Sequence, residues 1–190
     1  TDTWCSTDNC CGSARSEVAI SEKAACAETA QKDMPEWVCG SLKTPMGTGY
    51  QVSTEWTSKD RWGQIKARTT SYRMHYTVPP GLYAIGEPDK NSDVFVSANY
   101  KLSFDVLRRE LKGMNAWILV LDTKGINVWC AAGKGTFGTE ELVNQITDVQ
   151  LKNVVTHKRI IVPQLGAVGV NSAAVKQRTG FRVYFGPVYA

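Results

Sequence analysis

The sequence predicts an α/β protein with a mostly parallel sheet flanked by helices. Two observations carry this. From about Asp93 onward, short apolar runs alternate with helical stripes, the pattern that packs helices onto a parallel sheet. The run Trp117–Leu121 is also apolar at every position, as a strand covered on both faces requires.

Val94-Phe95-Val96-Ser97 reads as the first buried strand. Lys101–Lys112 reads as a helix, because Phe104, Leu107, Leu111 and Met114 recur at spacings of three and four. Trp117–Leu121 is the next strand. A second helix is expected from Thr139, a favourable N-cap, with Glu140 and Glu141 in the first turn where the helix dipole favours acids. Leu142, Val143, Ile146 and Val149 would line its inner face. Arg159–Val162 follows as a strand, Val170–Gln177 as a helix and Phe181–Phe185 as a last strand. Earlier in the chain, Lys59–Arg68 reads as a basic, partly helical stretch, and Pro79-Pro80-Gly81 forces a turn. Pro45, Gly47 and Gly49 mark residues 36–60 as loop. Trp56, Trp62, Tyr72 and Tyr76 are expected in the core.

With 190 residues, the chain is long enough for one domain with an extension. We place the extension at residues 1–35, poorly ordered and rich in Ser, Thr, Ala, Asp and Cys, with a short helix possible over Glu17–Gln31. Residues 36–190 form the domain. Five of the six cysteines (Cys5, Cys10, Cys11, Cys26 and Cys39) crowd the N-terminal fifth. Their spacing does not repeat a zinc pattern, and with no export signal visible they read as reduced thiols. Soft-metal binding is the alternative. The net charge of +4 is mild, and Lys and Arg form no block. That argues against nucleic acid and against a basic run for anionic lipid. No apolar stretch is long enough to cross a bilayer, so this chain is expected to be soluble.

In parallel sheets, ligands bind beyond the carboxyl ends of the strands. Four segments fall there: Ser97-Ala98-Asn99-Tyr100, Asp122–Gly138, Gln164-Leu165-Gly166-Ala167 and Gly186-Pro187-Val188. Their convergence suggests a large ligand. The second contains Asn127-Val128-Trp129-Cys130-Ala131-Ala132-Gly133-Lys134-Gly135-Thr136-Phe137-Gly138. Its glycines would let backbone approach a ligand closely, but the spacing does not fit a phosphate-binding loop. Cys130 is either a buried core cysteine, as free cysteines commonly are, or a ligand-side thiol. Periodicity makes Ile126–Cys130 a strand. His75 and His157 carry no catalytic context of their own, and a solvated position suits His157.

The segment Asn127–Gly138 resembles the cap-helix motif of the HgcA family, the corrinoid proteins of microbial mercury methylation. Val78–Gly86, Ala98–Asp105, Val162–Ala167 and Gly186–Val188 extend the resemblance, which covers about residues 36–190. It implies a Rossmann-like domain holding cobalamin, with Asn127–Lys134 as a short cap helix over the corrinoid. It makes Cys130 the lower axial cobalt ligand and catalytic group. A thiolate there would push electron density toward a cobalt-bound methyl group, for transfer to Hg(II) to form methylmercury. Asn127 and the cap-helix amides would tune the sulfur. The expected corrinoid contacts also include Ser97, Asn99, Tyr100, Ser103, Leu165, Gly166, Ala167, Gly186 and Pro187. Capping is the alternative role for Ser97 and Ser103.

The related large subunit of the corrinoid iron–sulfur protein of acetyl-CoA synthesis shares the corrinoid domain, but its pattern lacks a Cys at the motif position. Its barrel and cluster modules do not fit this chain. Cys130 therefore favours the mercury branch, with an acetyl-CoA-type corrinoid methyl carrier or a non-catalytic corrinoid-binding module as alternatives. By the resemblance, partners would be a ferredoxin-like protein with two four-iron four-sulfur clusters and a methyl donor, either a protein or a methylated folate. The setting would be anaerobic, at the cytoplasmic face of the inner membrane, with anchoring helices outside this chain.

Overall fold

The computed structural model describes residues 35–44 and 47–186. The residues described from Glu36 onward belong to one compact unit. The expectations for residues 1–34, for Cys5, Cys10, Cys11 and Cys26, and for Pro187 lie outside the described residues.

Seven strands form one sheet. In chain order they are β1 (Val38–Thr44), β2 (Gly47–Val52), β3 (Gly81–Ile85), β4 (Val94–Ala98), β5 (Ala116–Leu121), β6 (Arg159–Val162) and β7 (Arg182–Phe185). Their spatial order is β1-β2-β3-β5-β4-β6-β7. The block β5-β4-β6-β7 is parallel throughout. On the other side, β3 runs antiparallel to β5 and parallel to β2, and β1 closes the edge antiparallel to β2. The α/β class and the mostly parallel sheet are thus as the sequence predicts. All six residues of β5 are buried, which accounts for its unbroken apolar run.

The helices are α1 (Ser58–Thr69), α2 (Lys101–Glu110), α3 (Val128–Lys134), α4 (Thr139–Asp148), α5 (Leu151–Val154) and α6 (Ser172–Thr179), with 3-10 turns at Ser71–Met74 and Gln164–Gly166. Helix α2 packs on β4, α4 on β5 and α6 on β7. Phe104, Leu142 and Ile146 are fully buried beneath them, whereas Met114, expected on the α2 stripe, is exposed beyond the helix end.

Three sequence expectations are corrected. Residues 36–60 are not loop: β1 and β2 pair there, with Gly47 opening β2 and Gly49 inside it, where a Cβ would lie 2.9 Å from Thr44 Cγ2, so glycine here permits close strand approach. Ile126–Cys130 is not a strand, because Asn127 caps a helix that begins at Val128. Here the resemblance, not the periodicity, gives the observed structure. Trp62 and Tyr72 are not core residues, being 64% and 42% exposed, although Tyr76 is buried.

Candidate functional site

Within the parallel block, β4 lies between β5 and β6, so the chain leaves β4 to one side and later returns on the other. Ligands bind at such a switch point, outside the carboxyl ends of the strands. Ala98 pairs with Leu121, and Val162 with Phe185. The loops that follow all four strands therefore leave from one edge of the sheet.

Asn99 ties two of these loops together. Its Oδ1 accepts from the Thr123 amide (3.1 Å), the Thr123 hydroxyl (2.8 Å) and the Gly125 amide (2.9 Å). Its Nδ2 donates to Asp122 Oδ1 at 3.1 Å. The Asp122 carboxyl is held below its usual range, first by the hydrogen bond from Lys124, and the Asp122 amide donates to Glu141 Oε1 at 2.9 Å. The Ile126 carbonyl lies 2.7 Å from the Thr123 hydroxyl and shares its single hydrogen with Asn99 Oδ1. Asn99 is buried and both ends of its amide are occupied, so it positions the loop ahead of α3.

Helix α3 starts one residue later. Asn127 Oδ1 accepts from the Cys130 amide at 3.0 Å, an N-cap. Gly135 ends the helix in the left-handed region at φ 79°, where glycine costs least. Val128, Ala131 and Ala132 are buried against the core. Trp129, Cys130, Gly133 and Lys134 face outward, Trp129 being 68% exposed. Cys130 is an exposed free thiol, which removes the core-cysteine alternative. A Cβ built on Gly133 or Gly135 meets nothing within 4 Å.

The turn after β6 docks against α3. A Cβ on Gly166 would lie 2.4 Å from Phe137 Cε1, and one on Gly169 would lie 2.1 Å from the Phe137 carbonyl oxygen. Both glycines let this turn sit on buried Phe137, and the Thr139 amide donates to the Gly169 carbonyl at 3.1 Å. Gly169 was not expected from sequence, and a lone glycine between valines offers little signal. Leu165 and Val168 on this turn are 38% and 87% exposed. With Trp129 they give the edge apolar groups beside the thiol and the two open glycines.

The expected contact residues thus divide. Cys130, Trp129, Gly133, Lys134, Gly135 and Leu165 are exposed, and Thr136, Ala167, Ser103 and Gly186 are half-buried. Val128, Ala131, Ala132, Phe137, Gly166, Ser97 and Tyr100 are buried. This second group supports the edge from beneath. The Ser97 hydroxyl donates to the Ala98 carbonyl at 3.3 Å.

Behind the edge lies an ion cluster that sequence reasoning missed. Lys101 Nζ contacts Asp60 at 2.9 Å and Asp105 at 2.6 Å, while Arg108 contacts Asp60 at 2.7 Å and Asp105 at 2.8 Å. All four side chains are buried, and two charges of each sign balance. Burial pushes the Asp60 carboxyl up, but the Lys101 and Thr57 hydrogen bonds and the charges of Lys101 and Arg108 outweigh it, bringing it to about 2. The Tyr76 hydroxyl, 3.3 Å from Asp105, is driven upward by burial and then by the two carboxylates. Lys101, Asp105 and Arg108 recur at helical spacing on α2, the one visible hint.

Among the described residues, no group of three or more His, Cys, Asp or Glu side chains is placed to hold a metal ion, and no helix is long and apolar enough to cross a membrane. His157 Nε2 lies 2.8 Å from the Ser92 carbonyl and its Nδ1 accepts from the Arg159 amide, so it is a structural residue. Cavities of about 370 and 330 Å³ open elsewhere, one lined by Leu42 and Trp117 and the other by His157 and Phe181. Neither borders α3.

The chain is 33% identical over 120 residues to the corrinoid/iron-sulfur protein large subunit of Moorella thermoacetica, covering 62% of this chain and 26% of that protein. It is 32% identical over 119 residues to the acetyl-CoA decarbonylase/synthase complex subunit gamma of Methanopyrus kandleri, covering 62% and 25%. The corresponding subunit of Archaeoglobus fulgidus is 30% identical over 121 residues, covering 63% and 25%. The chain therefore spans about a quarter of the length of the curated relatives it matches. The model of the family described as CO dehydrogenase/acetyl-CoA synthase delta subunit, CdhD, matches residues 65–189. Since that match takes in well over half of the sequence, including α3 and every strand of the parallel block, the chain belongs to the CdhD family.

Proposed function

We propose that this chain is a corrinoid-binding methyl-transfer domain in which the Cys130 thiolate is the lower axial ligand of cobalt. The observation that carries the reading is the placement of Cys130. It is an exposed thiol on a short capped helix, at the ligand-binding edge of a parallel sheet. The relatives include a protein named for its corrinoid. The edge suits a broad, mostly apolar macrocycle, with Trp129, Leu165 and Val168 outward and no Cβ at Gly133 or Gly135.

Bound there, a corrinoid would supply a methyl group held on cobalt. The chain's own residues would do the rest. Cys130 offers a soft, electron-rich sulfur, a donor type that suits polarisable metals. Asn127 fixes the backbone at Cys130 through its amide, limiting where the sulfur can sit. Buried Val128, Ala131 and Ala132 hold the helix to the core. A thiolate at Cys130 would enrich the bound group in electron density, the chemistry suited to releasing a methyl group in a carbanion-like form. Thiophilic Hg(II) is an acceptor suited to that form, so we assign mercury methylation as the specific reaction. Electrons for cobalt would come from a ferredoxin-like partner, and the methyl group from a protein or folate donor.

A second reading is favoured by the names of the relatives: a corrinoid methyl carrier of acetyl-CoA-pathway type. One experiment separates the two. The protein is reconstituted with methylcobalamin, and its visible spectrum and its methylmercury yield from Hg(II) are measured. A thiolate-ligated spectrum with methylmercury formed supports the mercury reading. A corrinoid spectrum with no methylmercury supports the carrier, and no corrinoid spectrum overturns both.

A further inference from the structure

Helix α1 is amphipathic in the inverted sense. Its buried residues are Asp60, Gly63, Gln64 and Ala67, and its large apolar residues face away from the protein. Trp62 is 64% and Ile65 52% exposed. The inward face is small because Tyr76 lies against it: a Cβ on Gly63 would meet the Tyr76 hydroxyl at 2.7 Å. Asp60 is turned inward by Lys101 and Arg108. The outward Trp62 and Ile65 therefore do nothing for the core.

At roughly 100° per residue, Trp62 and Ile65 sit near the middle of the exposed face. Arg61 and Arg68 fall on one flank, and Lys59 and Lys66 on the other. The 3-10 turn packed at the end of α1 adds exposed Tyr72 and Arg73. From Ser58 to Arg73 there are five cations, and the sole acid, Asp60, is neutralised inside. Lys59 pairs with Glu36. Arg61, Lys66, Arg68 and Arg73 form no ion pair among the described residues, and nothing among those residues covers the face. The five cations of residues 58–73 thus flank one exposed face, a basic surface that the scatter of Lys and Arg over the whole sequence hides.

We propose that the outer face of α1 is a docking surface for an anionic bilayer. A protruding apolar centre with cations on both flanks matches a planar surface: Trp and Ile enter the headgroup layer while the basic side chains meet lipid phosphates and carboxylates. The convex helix face and its two-sided charge favour a bilayer over an acidic protein. Two weak signals together give reversible binding. The proposal does not depend on the corrinoid reading.

The test is co-sedimentation of the whole chain with phosphatidylcholine vesicles, with and without phosphatidylserine. Binding is expected only to the anionic vesicles and should fall with added salt. Arg61→Gln/Lys66→Gln/Arg68→Gln should weaken it roughly a hundredfold, taking each basic residue near the surface at its usual contribution. Trp62→Ala should also weaken it. All these side chains are exposed, so unchanged circular dichroism is expected. As a control, Lys90→Gln/Lys152→Gln/Lys158→Gln removes cations from the cavity lined by His157 and Phe181 and should leave vesicle binding unaltered. Equal sedimentation with both vesicle types overturns the proposal. So does unchanged binding of the α1 variants, or loss of binding in the control. Concentration-dependent dimerisation that Trp62→Ala abolishes would assign the face to a second copy of this chain and likewise overturn it.

Discussion

Asn127 Oδ1 accepts the Cys130 amide hydrogen at 3.0 Å, so the side chain that starts α3 also fixes the residue that carries the thiol. In a helix of seven residues, a single cap is a large share of what holds it. Asn127→Ala should cost about 1 kcal/mol of stability, read as a lowered melting temperature. Its effect on corrinoid ligation should be larger than that figure implies, because the sulfur would lose its fixed position. Titration of the variant with cobalamin checks this: unaltered affinity and spectrum would mean that the cap serves the fold alone.

Gly133 and Gly166 lie close together in the fold and should respond oppositely to a side chain. At Gly133 a Cβ meets nothing, so Gly133→Leu should leave the melting temperature within the usual scatter of surface substitutions, about 0.5 kcal/mol. It should block cobalamin binding if the macrocycle lies over α3. Equal cobalamin affinity in Gly133→Leu and wild type would remove α3 from the binding surface.

Gly166→Ala tests the support. Its Cβ would fall 2.4 Å from the Phe137 ring, and Phe137 is fully buried, so the ring cannot swing aside freely. Overpacking of this kind costs about 1–3 kcal/mol. Chemical denaturation should show the loss in apo protein, and Gly133→Leu should not share it.

The parallel block was legible because each strand is a short apolar run bounded by turn residues, and because α2 and α4 carry clear stripes. The hairpin β1–β2 was not, since Gly47 and Gly49 read as loop but belong to β2, where Gly49 lets Thr44 approach closely. Helix α3 misled periodicity for a definite reason. Val128-Trp129-Cys130 are residue types that favour strands, and only the Asn127 cap and Gly135 stop make them helical. At the site, the exposed positions followed from the motif, but which residues face inward depended on the phase of α3. Asp60 joins the Lys101–Asp105–Arg108 cluster from 41 positions before Lys101 and 48 before Arg108, a pairing that no local pattern reveals.

That cluster sets an acid limit on stability. The Asp60 carboxyl is lowered in the folded protein from 3.8 to about 2. Its stabilising contribution is therefore complete above the unfolded value and is lost as pH falls from about 4 through about 2. Acid unfolding of Asp60→Asn should lack this dependence. Arg108→Met leaves Asp60 and Asp105 with Lys101 alone, and breaking a buried pair in this way costs about 3–5 kcal/mol. Denaturant unfolding of Arg108→Met at neutral pH, with a loss under 1 kcal/mol, would show that water already screens the cluster.

The decisive substitution is Cys130→Ala. Because Cys130 is exposed and its sulfur fills no core space, the melting temperature should stay within the scatter of surface substitutions, about 0.5 kcal/mol. Alanine is also the better helix former, so α3 should persist with its Asn127 cap intact. Cobalamin binding should be retained in part, since Trp129, Leu165, Val168 and the open glycines remain. The spectrum should shift toward a water-ligated or five-coordinate cobalt, because the thiolate is gone; neither Cys39, on β1, nor His157, held by Ser92 and Arg159, is placed to replace it. Methyl transfer to Hg(II) should fall sharply, as the donor opposite the methyl group is gone. Cys130→Thr replaces the thiol with a neutral hydroxyl, a far weaker donor, and should resemble Cys130→Ala. Cys130→Ala with a wild-type spectrum and full methylmercury yield would exclude the axial thiolate. A changed spectrum with an unchanged yield would keep the ligand but separate it from the chemistry of transfer.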